Sequence, residues 1–142
     1  LKKPGAFNPE ERAVMNEHAR MGAEILGRSR IPLFQLAAEL ALAHHERWDG
    51  SGYPAQLAGQ AIPLSGRIVA VVDFFDALTM DRVYRPALSV EVALAMMLEQ
   101  RGKAFDPKIV DTFMANAAEL NALRERINVS HLSYSDLVKG EL

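Results

Sequence analysis

Three of the four histidines fall on segments that otherwise read as apolar helix faces, and they are the first candidates for chemistry. His18 lies within "NPEERAVMNEHARMGAEILG", and His44 and His45 end the segment "PLFQLAAELALAHH". One histidine on an apolar face is more often a hydrogen-bonded core residue than a ligand. Three of them, in a chain without cysteine, favour a site of imidazole and carboxylate ligands, which suits iron, manganese, zinc or nickel.

Two carboxylates in an otherwise uncharged segment are the second candidates. Asp73 and Asp76 are the only charges in the stretch 68–80, which predicts a helix that is buried nearly all round. A buried carboxylate is normally paired, protonated or bound to a metal, because an unpaired one costs on the order of several kcal/mol. The alternative to a metal is pairing with one of three nearby arginines, Arg67, Arg82 or Arg85.

The adjacent histidines raise a question of geometry. Neighbouring residues of a helix diverge by about 100°, so His44 and His45 are not expected to chelate one ion from one helix face. They could serve two neighbouring metals, or one metal and one substrate group. Two-metal hydrolytic sites hold their ions about 3.5 to 4 Å apart, so this pattern favours metal-assisted hydrolysis, foremost of a phosphate ester.

The elements that must position these side chains are predicted to be helices. One helix is expected from the cap Asn8 to Gly27, with Pro9 at its first position, and another begins at Pro32. Further helices are expected over 67–80, from Ser89 to about Arg101, and after the cap Asp106. Residues 49–66 carry the glycines and prolines of turns. The fold is therefore predicted to be all-α, with a domain over 1–122 and a peripheral extension over 123–142.

Composition excludes several classes of protein. The net charge is −2 and the pI about 6.1, so neither DNA nor an anionic membrane surface is an expected partner. The absence of cysteine excludes disulfides and is compatible with a reducing compartment, so a cytoplasmic location is the default expectation. No run is apolar enough over a sufficient length to predict membrane insertion.

Three stretches together carry a family resemblance. "HHERWDGSGYP", "VVDFFDALTMDRVYRPA" and "RGKAFDPKIVDTF" resemble the HD-GYP family of metal-dependent phosphohydrolases over residues 1–120. The resemblance implies an all-helical bundle of the HD type and two or three divalent metal ions, with iron or manganese foremost. It also implies hydrolysis of cyclic di-GMP to pGpG, and further to GMP in some members, in bacterial second-messenger signalling.

Position by position, the resemblance implies roles for eight residues. The implied metal ligands are His18, His44, His45 and Asp73, and the last three are also the implied catalytic residues. The implied substrate contacts are Arg82, Arg85, Asp76 and Tyr53. The family also suggests GGDEF-domain proteins as partners of the loop that contains Gly52-Tyr53-Pro54, the GYP loop, and it leaves homodimerisation open.

One feature of the family is missing. The His-Asp pair from which the family takes its name does not occur in these 142 residues. We therefore expect the chain to represent the carboxy-terminal portion of a family member, and a natural degenerate copy is the alternative. Two other functions stay open: a catalytically silent module that binds cyclic di-GMP or a partner protein, and an HD-type phosphohydrolase acting on another nucleotide.

Overall fold

The computed structural model describes residues 7–81 and 86–130, with side chains as far as residue 127. Within these ranges the chain forms α-helices, one short 3-10 helix at Gly59–Ala61, and no strand. The all-α prediction is confirmed. The helices are α1 (Pro9–Asn16), α2 (His18–Gly27), α3 (Pro32–Ala43), α4 (Leu64–Thr79), α5 (Val90–Glu99), α6 (Pro107–Ala115) and α7 (Ala117–Ser130).

The chain divides into two compact units, Leu1–Val110 and Asp111–Leu142. Every described residue with a predicted role in the site belongs to the first unit. The predicted boundary at residue 122 stays a prediction. None of the helices in the described part of the chain is long and apolar enough to cross a membrane.

The predicted first helix begins as expected but is interrupted. The Asn8 side chain accepts a hydrogen bond from the Glu11 amide, and the Glu11 carboxylate accepts one from the Asn8 amide, which forms a capping box. The single helix expected as far as Gly27 is instead two, α1 and α2, which meet at Glu17. His18 therefore begins α2 rather than lying in the middle of a longer helix.

Helices α2 and α3 pack through small residues. A Cβ on Gly22 would lie 3.3 Å from the Ala41 Cβ, and one on Gly27 would lie 3.7 Å from the Ala38 Cβ. Helical spacing in the sequence predicts an inward face of Val14, His18, Met21 and Ile25, but Val14 of α1 and Met21 and Ile25 of α2 are exposed, at 75%, 59% and 69%. Contact through glycine and alanine brings the two backbones close together, which allows His18 to reach the end of α3.

Helix α4 packs against both α3 and α5. It approaches α3 closely at Gly66, where a Cβ would lie only 2.6 Å from the Ala43 Cβ. The buried face of α4 consists of Gly66, Val71, Phe75 and Thr79. The prediction of a helix buried nearly all round is wrong, because α4 is covered along this one face and Val72 and Asp73 on the other side are exposed.

A buried ion pair ties α4 to the start of α6. The Arg67 Nη1 atom lies 2.6 Å from the Asp106 Oδ2 atom, and the Arg67 Nε–H donates to the Ile62 carbonyl at 3.0 Å. Asp106 is 3% exposed, and its other oxygen accepts from the Lys108 amide, which confirms Asp106 as the cap of α6. The guanidinium of Arg67 is thus committed to Asp106 and is not a partner of Asp73.

Candidate metal centre

Three predicted ligands converge at the junction of α2 and α3. His18 begins α2, and His44 and His45 directly follow α3. Each ring offers a nitrogen, and these ligand atoms all lie within 4.8 Å of one another. The His18 Nε2 atom lies 3.4 Å from the Nε2 atom of His44 and 3.1 Å from that of His45. The tertiary structure thus brings together residues that are 26 and 27 positions apart in the sequence.

Backbone carbonyls determine which ring nitrogens carry hydrogen. His18 Nδ1 lies 2.6 Å from the Met15 carbonyl oxygen, and His44 Nδ1 lies 2.9 Å from that of Ala41. A carbonyl oxygen can only accept, so each Nδ1 carries the hydrogen and each Nε2 of the neutral ring presents a lone pair. His45 can donate one hydrogen to His18, but among the described residues no donor reaches the Nε2 atom of His44. The cluster is therefore arranged for a cation.

The distances fit a shared ion. A metal bonded to two imidazoles at about 2.1 Å holds their nitrogens about 3.0 Å apart at right angles and about 3.4 Å apart at the tetrahedral angle. The observed separations of 3.1 and 3.4 Å lie within that range. An Nδ1–H bonded to a carbonyl is also the usual way in which a ligating histidine is oriented. The residues present thus fit a divalent metal ion.

The surroundings keep His45 neutral. Burial, followed by the neighbouring rings of His44 and His18, lowers the pKa of His45 from 6.5 to about 4, and Asp73 acts in the opposite direction. Because only the neutral imidazole can donate a lone pair, this pKa leaves His45 competent to bind a metal at neutral pH.

The expected divergence of His44 and His45 is not observed. Their ring centroids lie 4.0 Å apart, and both rings contact His18. The prediction assumed that both residues are helical, whereas α3 ends at Ala43 and His44 is already its cap. The helical rotation of about 100° per residue therefore does not govern the two side chains.

Tyr53 joins the cluster from the GYP loop. Its ring lies 4.8 Å from the His45 ring, between centroids, and 6.4 Å from that of His18. Burial raises the pKa of the Tyr53 hydroxyl, and the Arg12 guanidinium acts in the opposite direction. The predicted position of Tyr53 beside the ligands is thus observed, and its contact with substrate stays a prediction.

Glu46 directly follows the two adjacent histidines, and the sequence alone allows it to be either a solvated charge or a hydrogen-bond partner of a ligating histidine. The side chain is buried, at 4% exposure, and its two oxygens accept hydrogen bonds from the amides of Ala55 and Leu57 at 2.7 and 2.9 Å. Glu46 therefore holds the GYP loop against the end of α3. A charged residue directly after the ligand pair is the only sequence signal that could have pointed to it.

Gly52 allows the loop to fold back over the ligands. A Cβ at this position would lie 2.4 Å from the Arg47 amide nitrogen and 2.6 Å from the His45 carbonyl oxygen, distances that no Cβ tolerates. The Tyr53 amide donates to that same carbonyl at 3.2 Å. The glycine is needed for close backbone approach rather than for an unusual torsion angle.

An open cavity of about 580 Å³ lies beside the histidines. One side, here called the loop wall, consists of Arg47, Ser51, Gly52 and Tyr53. Another part of the lining, here called the helix wall, consists of Asp73 and Phe74 of α4 with Met96 and Glu99 of α5. His44 and His45 line the same cavity, whose size is typical of small-molecule sites.

Asp73 lines this cavity, but it is not the buried carboxylate that the sequence predicts. Its side chain is exposed, and it forms no hydrogen bond or ion pair with any described residue. The prediction that it is buried is wrong, but its carboxylate is open to the space that the histidines also face. Asp76, one turn further along α4, is not among the lining residues, so its role in substrate binding stays a prediction.

The two predicted phosphate-binding arginines, Arg82 and Arg85, lie outside the described residues. They follow α4 in the sequence, and their roles stay predictions.

An all-α domain in which three histidines converge beside an open cavity presents a candidate metal site, and comparison with known proteins specifies the family. A family model described as an HD domain matches residues 1–109. The chain belongs to this family, and its relatives place it among the HD-GYP type.

Individual relatives are phosphodiesterases of cyclic dinucleotides. A cyclic di-GMP phosphodiesterase of Vibrio cholerae is 50% identical over 120 residues, which are 81% of this chain and 24% of the relative. A cyclic di-GMP phosphodiesterase response regulator of Xanthomonas campestris is 48% identical over 123 residues, or 87% and 32% of the two chains. A 3'3'-cGAMP-specific phosphodiesterase of Vibrio cholerae is 44% identical over 124 residues, or 87% and 24%.

A solved structure shows the same fold. The crystal structure of a cyclic GMP-AMP-specific phosphodiesterase of Vibrio cholerae matches with a TM-score of 0.64 at 27% identity, over 80% of this chain and 25% of that one. The chain spans about a quarter to a third of the length of the curated relatives described above.

Proposed function

We propose that this chain forms part of a metal-dependent phosphodiesterase that hydrolyses cyclic di-GMP to pGpG, with GMP as the product of a further round. The observation that carries the proposal is the convergence of three imidazole Nε2 atoms beside the cavity. The Nδ1–H groups of His18 and His44 point away from this cluster and donate to backbone carbonyls. The names of the relatives support the choice of a cyclic dinucleotide as substrate.

The residues that would hold the metal are His18, His44, His45 and Asp73. We propose two or three divalent ions in the complete protein, iron or manganese foremost, because imidazole and carboxylate ligands suit these metals. A bound ion supplies Lewis-acid polarisation of a phosphoryl oxygen and an activated water. His44, His45 and Asp73 are the proposed catalytic residues, since their side chains also line the cavity.

The remaining residues would bind substrate. Tyr53 packs against His45 and lines the cavity, so it would border the phosphate that reacts. Arg82 and Arg85 would hold phosphates through paired guanidinium hydrogen bonds, and Asp76 would contact the substrate near them.

A second candidate is a catalytically silent module that binds a cyclic dinucleotide. The open cavity beside the histidines would also hold a nucleotide without turnover. Metal content and hydrolysis distinguish the two candidates, because a silent module binds the nucleotide without turnover.

Further proposals rest on the family alone. We propose that the protein works in the cytoplasm, that GGDEF-domain proteins bind at the GYP loop, and that the domain ends near residue 122. A measurement of the protein's mass in solution tests whether it forms a homodimer.

The test of the proposed function removes the central ligand. His18→Ala takes away the Nε2 atom that both other histidines approach, so we expect the iron or manganese content after dialysis to fall at least about tenfold, and hydrolysis of cyclic di-GMP with it. His131→Ala removes the fourth histidine, which lies outside every motif, and should leave both values unchanged. Equal metal content in wild type and His18→Ala would refute the metal centre.

A further inference from the structure

The cavity has a second polar end that the metal centre does not use. Helix α4 contacts both α3 and α5 and forms the floor of the cavity through Ala70, Phe74 and Ala77. The histidines stand at the end of α3, and Glu99 and Gln100 stand at the end of α5. A substrate whose phosphate lies at the histidines would share this cavity with Glu99.

The floor between the two ends suits a flat ring. Phe74 and Phe105 lie in contact, with ring centroids 5.0 Å apart, and both line the cavity beside Met96. Aromatic and thioether side chains offer polarisable surface on which nucleobases stack. The apolar floor thus provides the environment that a base of a dinucleotide requires.

Two charged groups at this end are available to the edge of such a base. The Glu99 carboxylate is exposed to the cavity and forms no hydrogen bond or ion pair with any described residue. Arg47 lines the same cavity from the loop wall, where its Nε–H donates to the Ser51 hydroxyl at 2.8 Å and its Nη2 to the Gln100 amide oxygen at 3.5 Å. A free acceptor and a positioned donor therefore border the same space.

Their chemistry matches guanine better than adenine. The Watson–Crick edge of guanine presents two adjacent donors, N1–H and the N2 amino group, to which one carboxylate accepts twice, and a guanidinium suits its O6 and N7 atoms. Adenine presents its N1 lone pair at that edge, which a carboxylate repels. A site built to accept two hydrogen bonds rejects a base that lacks one of the donors.

Resting on the proposed function, we propose that Glu99 is a specificity-determining residue that reads a guanine base in the α5 end of the cavity, with Arg47 as a second contact. The subsite favours substrates with at least one guanine, cyclic di-GMP and 3'3'-cGAMP, over cyclic di-AMP.

The test exchanges the carboxylate for an amide of equal size. The amide of Glu99→Gln can accept from adenine N6 and donate to adenine N1, whereas its NH₂ group opposes the donors of guanine. Dissociation constants and kcat/KM are measured for cyclic di-GMP, 3'3'-cGAMP and cyclic di-AMP with the complete protein, as wild type and as the variant. We expect the preference for cyclic di-GMP over cyclic di-AMP to fall at least about tenfold.

A matched control and the separate readouts keep the outcomes distinct. Glu24→Gln makes the same charge change at an exposed position of α2 outside the cavity and should leave the preference unchanged.

Selective binding that Glu99→Gln weakens, without any hydrolysis, would support the guanine subsite and refute the phosphodiesterase. Hydrolysis whose base preference is the same in wild type and Glu99→Gln would refute the subsite and leave the proposed function standing. Absence of binding and hydrolysis would refute both.

Discussion

The two walls of the cavity differ in whether their charged side chains have partners within the protein. In the loop wall the polar groups have partners within the protein: Arg47 binds Ser51 and Asp49, and the Ser51 hydroxyl and amide both donate to Asp49. Those two hydrogen bonds lower the pKa of the exposed Asp49 carboxyl. In the helix wall the carboxylates of Asp73 and Glu99 are exposed and have no described partner.

This difference separates stability from ligand binding. A polar group that is satisfied within the fold contributes to the stability of the folded chain, whereas an unpaired carboxylate beside a cavity contributes nothing to it and is free for a ligand. Substitutions in the loop wall and beneath it should therefore lower the free energy of unfolding, at Arg47 and Tyr53 in addition to any effect on substrate binding, and substitutions in the helix wall should change activity alone.

The largest effect is expected from the helix wall, at Asp73. Asp73→Asn keeps the size of the side chain but removes the charge that faces the histidines, so we expect hydrolysis to fall at least about a hundredfold with loss of bound metal. Because the side chain is exposed and unpaired, the free energy of unfolding measured by urea without metal should change by less than about 0.5 kcal/mol. A variant that retains metal and turnover would contradict the assignment.

The next effect is expected from the loop wall, at Gly52. The Cβ that Gly52→Ala introduces would overlap backbone atoms of Glu46 and Arg47, so the loop has to move away from them. We expect this to lower the free energy of unfolding by about 2 to 3 kcal/mol. Gly27→Ala is the matched control, because its new Cβ would meet the Ala38 Cβ at an ordinary 3.7 Å. If both substitutions had the same effect on urea unfolding, close approach of the loop would not be what Gly52 provides.

The smallest effect is expected beneath the loop wall, at Glu46. Glu46→Gln replaces one acceptor oxygen by an NH₂ group that faces an amide donor, which should cost about 1 to 3 kcal/mol of stability. Hydrogen exchange at the amides of Ala55 and Leu57 should accelerate, and Glu24→Gln should leave both rates as they are in wild type. Unchanged exchange at both amides would show that Glu46 does not hold the loop.

Much of the fold could be predicted from local sequence signals. The caps Asn8 and Asp106 and the start of a helix at Ser89 were predicted correctly, because a helix start depends on the hydrogen bonds of one turn. The interruption at Glu17 was missed. No glycine or proline marks it, so the sequence carries no local signal for it.

The sequence pointed to side chains that the structure brings together, but not to their environment. His18, His44 and His45 do converge, yet the reasons given for the pair and for Asp73 were wrong, since His45 lies beyond α3 and Asp73 is exposed. Burial depends on which helix covers which face, and one helix read by itself does not contain that information. The buried carboxylate of this region is Glu46, a residue left undecided by the sequence.

The sequence by itself determined the ligand types, the helices and their caps, and the motif spacing that identifies the family, because these depend on residue chemistry and on contacts within one turn. Only the tertiary structure decided that α2 and α3 approach through glycine and alanine and that three Nε2 atoms lie close together. It also decided that Asp73 and Glu99 form no hydrogen bond or ion pair within residues 7–81 and 86–127. These features arise between residues distant in the chain, where packing distances of a few tenths of an ångström decide which atoms can meet.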